Sequence, residues 1–167
     1  VATVTAWISQ LASAIAYMHS MRVLHRDLSA KNVFLSSRFD VKVGDFGMSK
    51  SSASTSSVLN GKTVCGTPSY FSPEMVSGTS YGTASDVWSI GLLAHEMITL
   101  QHPFHGTSLA SMLQRILVCD YDQELLANAP YPEELKVVAS SHELLHVDPT
   151  KRLTLTELLA RPMFKQV

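Results

Sequence analysis

Three oxygen-bearing side chains fall close together in the first third of this 167-residue sequence: Asp27, Asn32 and Asp45. Asp27 and Asn32 stand five residues apart in Val23-Leu24-His25-Arg26-Asp27-Leu28-Ser29-Ala30-Lys31-Asn32. An apolar run, Val33-Phe34-Leu35, follows, and Val41-Lys42-Val43-Gly44 then leads into Asp45-Phe46-Gly47. Such a set can supply one proton acceptor and two oxygen ligands. Mg²⁺ suits it, because that ion takes hard oxygen ligands and is usually shared between few protein groups and substrate phosphates.

The elements that must position these residues are readable from periodicity. Trp7 to Met21 reads as an amphipathic helix, with Ile8, Leu11, Ile15 and Met18 at three- and four-residue spacing. Val33–Leu35 and Val41–Val43, joined by Ser36 to Asp40, suggest a small hairpin that delivers Asp45 beside the Asp27–Asn32 loop. Ser51 to Ser57 is low-complexity and polar, a loop by composition. Ser85 to Ile98 is apolar on most faces, as in a helix buried in a core, with Ser85 or Asp86 a candidate N-cap. Amphipathic helices are expected over Ser108–Val118 and Pro132–His146, and Thr154 with Glu157 forms a capping-box pattern opening a last helix that Pro162 ends.

Composition sets the outer limits. The length suits one domain with a real core, and 46% apolar against 16% charged residues argues against disorder. The mean hydropathy is slightly positive, as if part of the surface were meant to be covered. A net charge of −1 gives no basic field of the kind nucleic-acid binders carry. No apolar run approaches a membrane span. Neither nucleic acid nor membrane is therefore expected as a partner. Cys65 and Cys119 lack metal or disulfide spacing and read as buried or free thiols in a reducing compartment. His102-x-x-His105 has a metal-like spacing but no further ligand set, so no zinc site is expected.

Taken together, His25-Arg26-Asp27-Leu28-x-x-x-Asn32 and Asp45-Phe46-Gly47, in that order, resemble the catalytic and metal-binding loops of eukaryotic protein kinases. Gly66-Thr67-Pro68-Ser69-Tyr70-Phe71-Ser72-Pro73-Glu74 resembles the substrate-docking loop and its closing Ala-Pro-Glu motif, with Ser72 in place of the alanine. The Gly-Thr-Pro opening is similar to that of Ser/Thr kinases. Lys62 to Glu74 and Glu96 to Phe104 are most like the NIMA-related group. The fold implied is mainly α with a small β-hairpin region, the C-terminal lobe of the protein-kinase fold over residues 1–167.

The resemblance implies ATP and Mg²⁺ as cofactors and a protein Ser/Thr hydroxyl as acceptor. Asp27 would take or orient the hydroxyl proton, and Asn32 and Asp45 would hold Mg²⁺ across the phosphates. Thr67 belongs to the same catalytic set. Lys31 would neutralise the γ-phosphate, because Ser29 occupies the position where Ser/Thr kinases usually carry that lysine. Arg26 would read a phosphate on the activation segment, with Thr63 the phosphorylated residue. Asp86 would hold the catalytic-loop backbone, and Glu74 would pair with Arg152. A cytoplasmic location is implied, with the cytoskeleton as the association the family suggests.

No Gly-x-Gly-x-x-Gly phosphate loop precedes Asp27, nor do the strand lysine and its glutamate partner. The N-terminal lobe is thus expected to be absent from this chain, which reads as a piece of a longer protein, inactive alone because phosphoryl transfer depends on positioning. The alternative is a non-catalytic kinase-like docking module, which the presence of Asp27, Asn32 and Asp45 counts against.

Overall fold

The structure is a computed structural model that describes residues 2–45, 50–51 (backbone only) and 67–165. Phe46, Gly47, the serine tract from Ser52 onward, Thr63 and Cys65 lie outside the described residues.

Helix α1 spans Ala2–Ser20, five residues longer at its start than the apolar spacing from Trp7 suggests. Val4 and Thr5 are buried and extend the stripe formed by Ile8, Leu11, Ala12 and Ile15, so packing overrides the weak helix propensity of Thr3, Val4 and Thr5. Strand β1 (Val23–Leu24) follows, then a 3₁₀ turn at Ala30–Asn32 and the hairpin of β2 (Val33–Leu35) and β3 (Val41–Val43). The hairpin pairs Val33 with Val43 and Leu35 with Val41, antiparallel as expected. Ser36 shapes its turn by accepting the Arg38 and Asp40 amides on one hydroxyl. A second antiparallel pairing, β1 with β4 (Lys50–Ser51), sets Val23 opposite Ser51. Two-residue strands carry no periodicity, so the sequence gives no sign of it.

Helix α2 is one turn, Pro73–Val76, and α3 runs Thr83–Thr99. Trp88, Ile90, Leu92 and Ala94 are fully buried, which makes α3 the core's axis; α1 packs along it. Its N-cap is Gly82, not Ser85 or Asp86. Ser85 sits in the first turn, where its hydroxyl accepts the Gly82 amide, and Asp86 is thereby freed for other bonds. Helix α4 covers Leu109–Val118 with Ser108 as its cap. A short α5, Gln123–Ala127, capped by Asp122, was not expected.

The helix expected over Pro132–His146 is only Glu133–Val138, α6. Ser140 ends it: its hydroxyl donates to the Val137 carbonyl and accepts the His142 amide, offering the backbone an alternative to helix. The chain then turns, yet Leu144 and Leu145 still reach the core and lie against Gly91 of α3. Helix α7 (Leu155–Ala160) opens on the Thr154–Glu157 capping box, and Arg161 leaves helical geometry before Pro162 starts the last turn, α8 (Pro162–Lys165).

Candidate active site

The loop from His25 to Asn32 is held mainly by one carboxylate. Asp86, wholly buried on α3, accepts the His25 amide at 3.1 Å and the Arg26 amide at 3.2 Å. His19 Nε2 meets it at 2.7 Å, and the Tyr81 hydroxyl donates to its other oxygen. Four donors converge on one buried side chain, so its desolvation is offset by bonds to a charged group, each worth about 1.5–3 kcal/mol. Burial and the neighbouring Asp86 both raise the Tyr81 pKa, keeping its hydroxyl a donor. His19 and Tyr81 carry no motif signal of their own; only the fold brings them to Asp86.

Arg26 adopts a left-handed backbone (φ 72°), and its guanidinium lies 5.9 Å from the Tyr81 ring centroid. His25 braces the loop from beneath. Its Nδ1 accepts the Asp27 amide at 3.4 Å, so its Nε2 bears the proton and donates to the Gly44 carbonyl at 3.1 Å. The Gly44 amide in turn donates to the Asn32 carbonyl at 2.9 Å. The end of the hairpin is thus stitched to both ends of the loop, and Asp45 follows directly, exposed and left-handed (φ 56°). An aspartate tolerates that angle better than most residues.

The Asp27 carboxylate is fixed in orientation. Thr67 donates to Oδ1 twice, from its amide at 3.1 Å and its hydroxyl at 3.2 Å. Asn32 Nδ2 donates to Oδ2 at 3.2 Å and to the Asp27 carbonyl at 2.7 Å. An ionised carboxylate has about four lone-pair sites. Oδ1 has spent both of its own, and Oδ2 keeps one to accept a proton. With its amide nitrogen committed to Asp27, Asn32 has its amide oxygen left as a ligand. That oxygen and the exposed Asp45 carboxylate are the hard donors Mg²⁺ prefers, so the donor set fits such an ion.

Lys31 is exposed, whereas Ser29 is fully buried. Lys31 is the exposed lysine of this loop. Tyr70 ties the 67–74 segment to the loop: its hydroxyl accepts the Ala30 amide at 3.2 Å and donates to Glu96.

The far end of that segment is locked by an ion pair. Arg152 reaches Glu74 with two parallel bonds, NH1 to Oε1 at 2.8 Å and NH2 to Oε2 at 2.7 Å. Its remaining donors find the carbonyls of Ala84, His146 and Val147, and its guanidinium lies 5.0 Å from the Trp88 ring centroid. Burial opposes ionisation of Glu74, but Arg152 and the Ser85 hydroxyl outweigh it and hold the carboxyl below its usual range. The pairing expected between Glu74 and Arg152 is present. Cys119, by contrast, is a buried free thiol whose pKa burial pushes up to about 12. Among the described residues no helix is long and apolar enough to cross a membrane.

The family model described as protein kinase domain matches residues 2–164. The Dictyostelium discoideum protein named "Probable serine/threonine-protein kinase nek3" is 35% identical over 98% of this chain, and human serine/threonine-protein kinase Nek11 is 36% identical over 93%. Nek9 of Xenopus laevis is 35% identical over 96%. The chain spans only 14%, 23% and 16% of those relatives' lengths. A loop pinned by Asp86, an Asp27 carboxylate aimed by Thr67 and Asn32, and a family match across nearly every residue place this chain in the protein kinase domain family.

Proposed function

We propose that this chain carries the catalytic and substrate-docking half of a serine/threonine kinase that moves the γ-phosphate of ATP to a protein hydroxyl. The observation that supports it best is the state of Asp27: three hydrogen bonds aim its carboxylate and leave one lone pair on Oδ2 for an incoming hydroxyl. Asp27 is the proton acceptor, and Thr67 and Asn32 are the residues that orient it. Asn32 and Asp45 would hold Mg²⁺, which when bound neutralises phosphate charge. Lys31 reaches the transferred group from its exposed position, since buried Ser29 cannot. Asp86 fixes the loop backbone, and the Glu74–Arg152 pair fixes the docking segment. A phosphate on Thr63, read by Arg26, is the activating event in this reading.

Phosphoryl transfer is catalysed mainly by positioning and electrostatic stabilisation. Activity is thus assigned to a form that also includes the nucleotide-covering lobe, in the cytoplasm. The test incubates such a form, and this chain alone, with Mg²⁺, γ-labelled ATP and a basic protein substrate. Phosphoserine or phosphothreonine from the longer form, with phosphate found on Thr63 by mass spectrometry, is expected. Absence of transfer by the longer form would favour the docking-module alternative, and equal turnover by this chain alone would refute its dependence on the other lobe.

A further inference from the structure

Helix α1 grips the β2–β3 hairpin through two polar contacts from side chains that belong to no motif. Gln10 Oε1 accepts the Val41 amide at 2.7 Å, and the Trp7 indole Nε1–H donates to the Phe39 carbonyl at 2.9 Å. Three residues apart on a helix, Trp7 and Gln10 lie on one face. Together they hold β3 and the residues just before it.

The ladder explains why Val41 needs a partner outside the hairpin. The Gly44 amide donates to the Asn32 carbonyl and the Ser36 amide to the Asp40 carbonyl, both at 2.9 Å. Opposed residues in an antiparallel ladder alternate between bonded and non-bonded pairs. Val41, opposite Leu35, falls on a non-bonded pair, so its N–H points away from β2. Gln10 supplies the acceptor there. A two-stranded hairpin is marginal by itself, and this one leans on the core through Val33, Val41 and Val43. Apolar contact is non-directional. The two hydrogen bonds are therefore what set the hairpin's place along α1.

The consequence appears at the other end of β3. Asp45 follows Gly44, which lies three residues, about 10 Å of strand, beyond Val41. At that end Gly44 ties the hairpin to the catalytic loop, its amide to Asn32 and its carbonyl to His25. Bonds gathered at one residue act as a pivot, and the ties from Gln10 and Trp7 at the far end oppose rocking about it. The loop itself hangs on α3 through Asp86. Asn32 thus takes its position from α3, and Asp45 takes its position from α1.

We propose that Gln10 and Trp7 are positioning residues for the metal site: by fixing the hairpin on α1, they set the Asp45 carboxylate against the Asn32 amide oxygen. The inference rests on the reading of Asn32 and Asp45 as the Mg²⁺ ligands. Mg²⁺ demands near-ideal octahedral geometry, so a ligand that drifts loses affinity. Residues that orient metal ligands are typically worth about 10–100-fold in metal affinity.

Mn²⁺ is the probe, its binding read by electron paramagnetic resonance in a form with both lobes and a non-hydrolysable ATP analogue. Gln10→Leu removes the acceptor, keeps the bulk, and is expected to weaken Mn²⁺ binding about tenfold while amide exchange at Val41 speeds up. Gln10→Glu still offers an oxygen to the Val41 amide and is expected to restore both readouts. Trp7→Phe keeps an aromatic ring, loses the indole N–H, and is expected to weaken Mn²⁺ binding by a smaller factor; it decides the matter if Gln10→Leu does not fold. Equal losses in Gln10→Leu and Gln10→Glu would mean general destabilisation and overturn the proposal. Asp45→Asn separates the two levels. If it weakens Mn²⁺ binding while Gln10→Leu and Trp7→Phe bind as wild type does, this inference alone falls. If Asp45→Asn binds Mn²⁺ as wild type does, the reading of Asp45 as a ligand falls and takes this inference with it.

Discussion

Replacing Arg152 by alanine is expected to unfold much of what holds the docking segment. The guanidinium makes two bonds to Glu74 and three to carbonyls, with a 5% exposed residue surrounded by core. Removing one partner of a buried ion pair costs about 3–5 kcal/mol, because the remaining charge keeps its desolvation penalty and loses its compensation. Domains are stable by only about 5–15 kcal/mol in total. At roughly 2–4 °C per kcal/mol for a chain of this size, the melting temperature should drop by about 6–20 °C. The sign of the pH dependence follows from Glu74. Its native pKa lies below the ordinary value of 4.5, so its contribution is full above that value and is lost as pH falls through the lowered native one. In Arg152→Ala the Ser85 hydroxyl still favours the ionised form of Glu74, but burial, the largest influence, loses its main opponent; the native pKa rises, and the variant should regain stability relative to wild type on acidification. Urea unfolding followed by circular dichroism at neutral and acid pH measures both effects. The double variant Glu74→Leu/Arg152→Met should be less damaged than Arg152→Ala. A loss under about 1 kcal/mol, or a double variant worse than the single, would refute the reasoning.

Other perturbations test separate parts. Gly91→Ala places a methyl 2.8 Å from Leu145 Cδ2 and 2.9 Å from Leu144 Cβ; overpacking of about 1–3 kcal/mol should outweigh the roughly 1 kcal/mol gained in helix propensity, so a rise in melting temperature would contradict the packing. Burial lowers the His102 pKa to about 4, so its ring should remain neutral at pH 5 by NMR; stability should decline as pH falls from about 6.5 toward 4, because the unfolded chain binds the proton first, and His102→Phe should flatten that slope. In a form with both lobes, Lys31→Ala should lower kcat far more than it raises KM for ATP, the pattern of an interaction made mainly in the transition state, and unchanged kcat would remove Lys31 from the γ-phosphate.

Local chemistry was legible in the sequence where it repeats or where it forms a motif. The hairpin, the α4 and α7 caps and the buried character of α3 follow from alternation, capping residues and all-round apolarity. The motifs carried Asp27, Asn32, Thr67 and Asp45 to one place, and the Glu74–Arg152 pair with them. Long-range convergence was not legible. Nothing in the spacing of His19, Tyr81 and Asp86 says that all three meet, since their neighbours in space are set by how α1 and α3 cross. Ser140 ending α6 was missed because the apolar period continues past it to Leu144 and Leu145. Those two leucines reach the core from a turn, which one-dimensional spacing cannot distinguish from a helix face.

The most direct measurement is turnover of Asp27→Asn in a form with both lobes. The exchange is nearly isosteric, and Thr67 can still donate to the amide oxygen, so fold and Mg²⁺-ATP affinity should be kept. The lone pair that accepts the hydroxyl proton is lost. Loss of a positioned proton acceptor typically costs about 10²–10⁴-fold, so kcat should fall by at least about 100-fold with nucleotide binding unchanged. An Asp27→Asn enzyme that transfers phosphate at the wild-type rate would contradict the assignment of Asp27 and the function built on it.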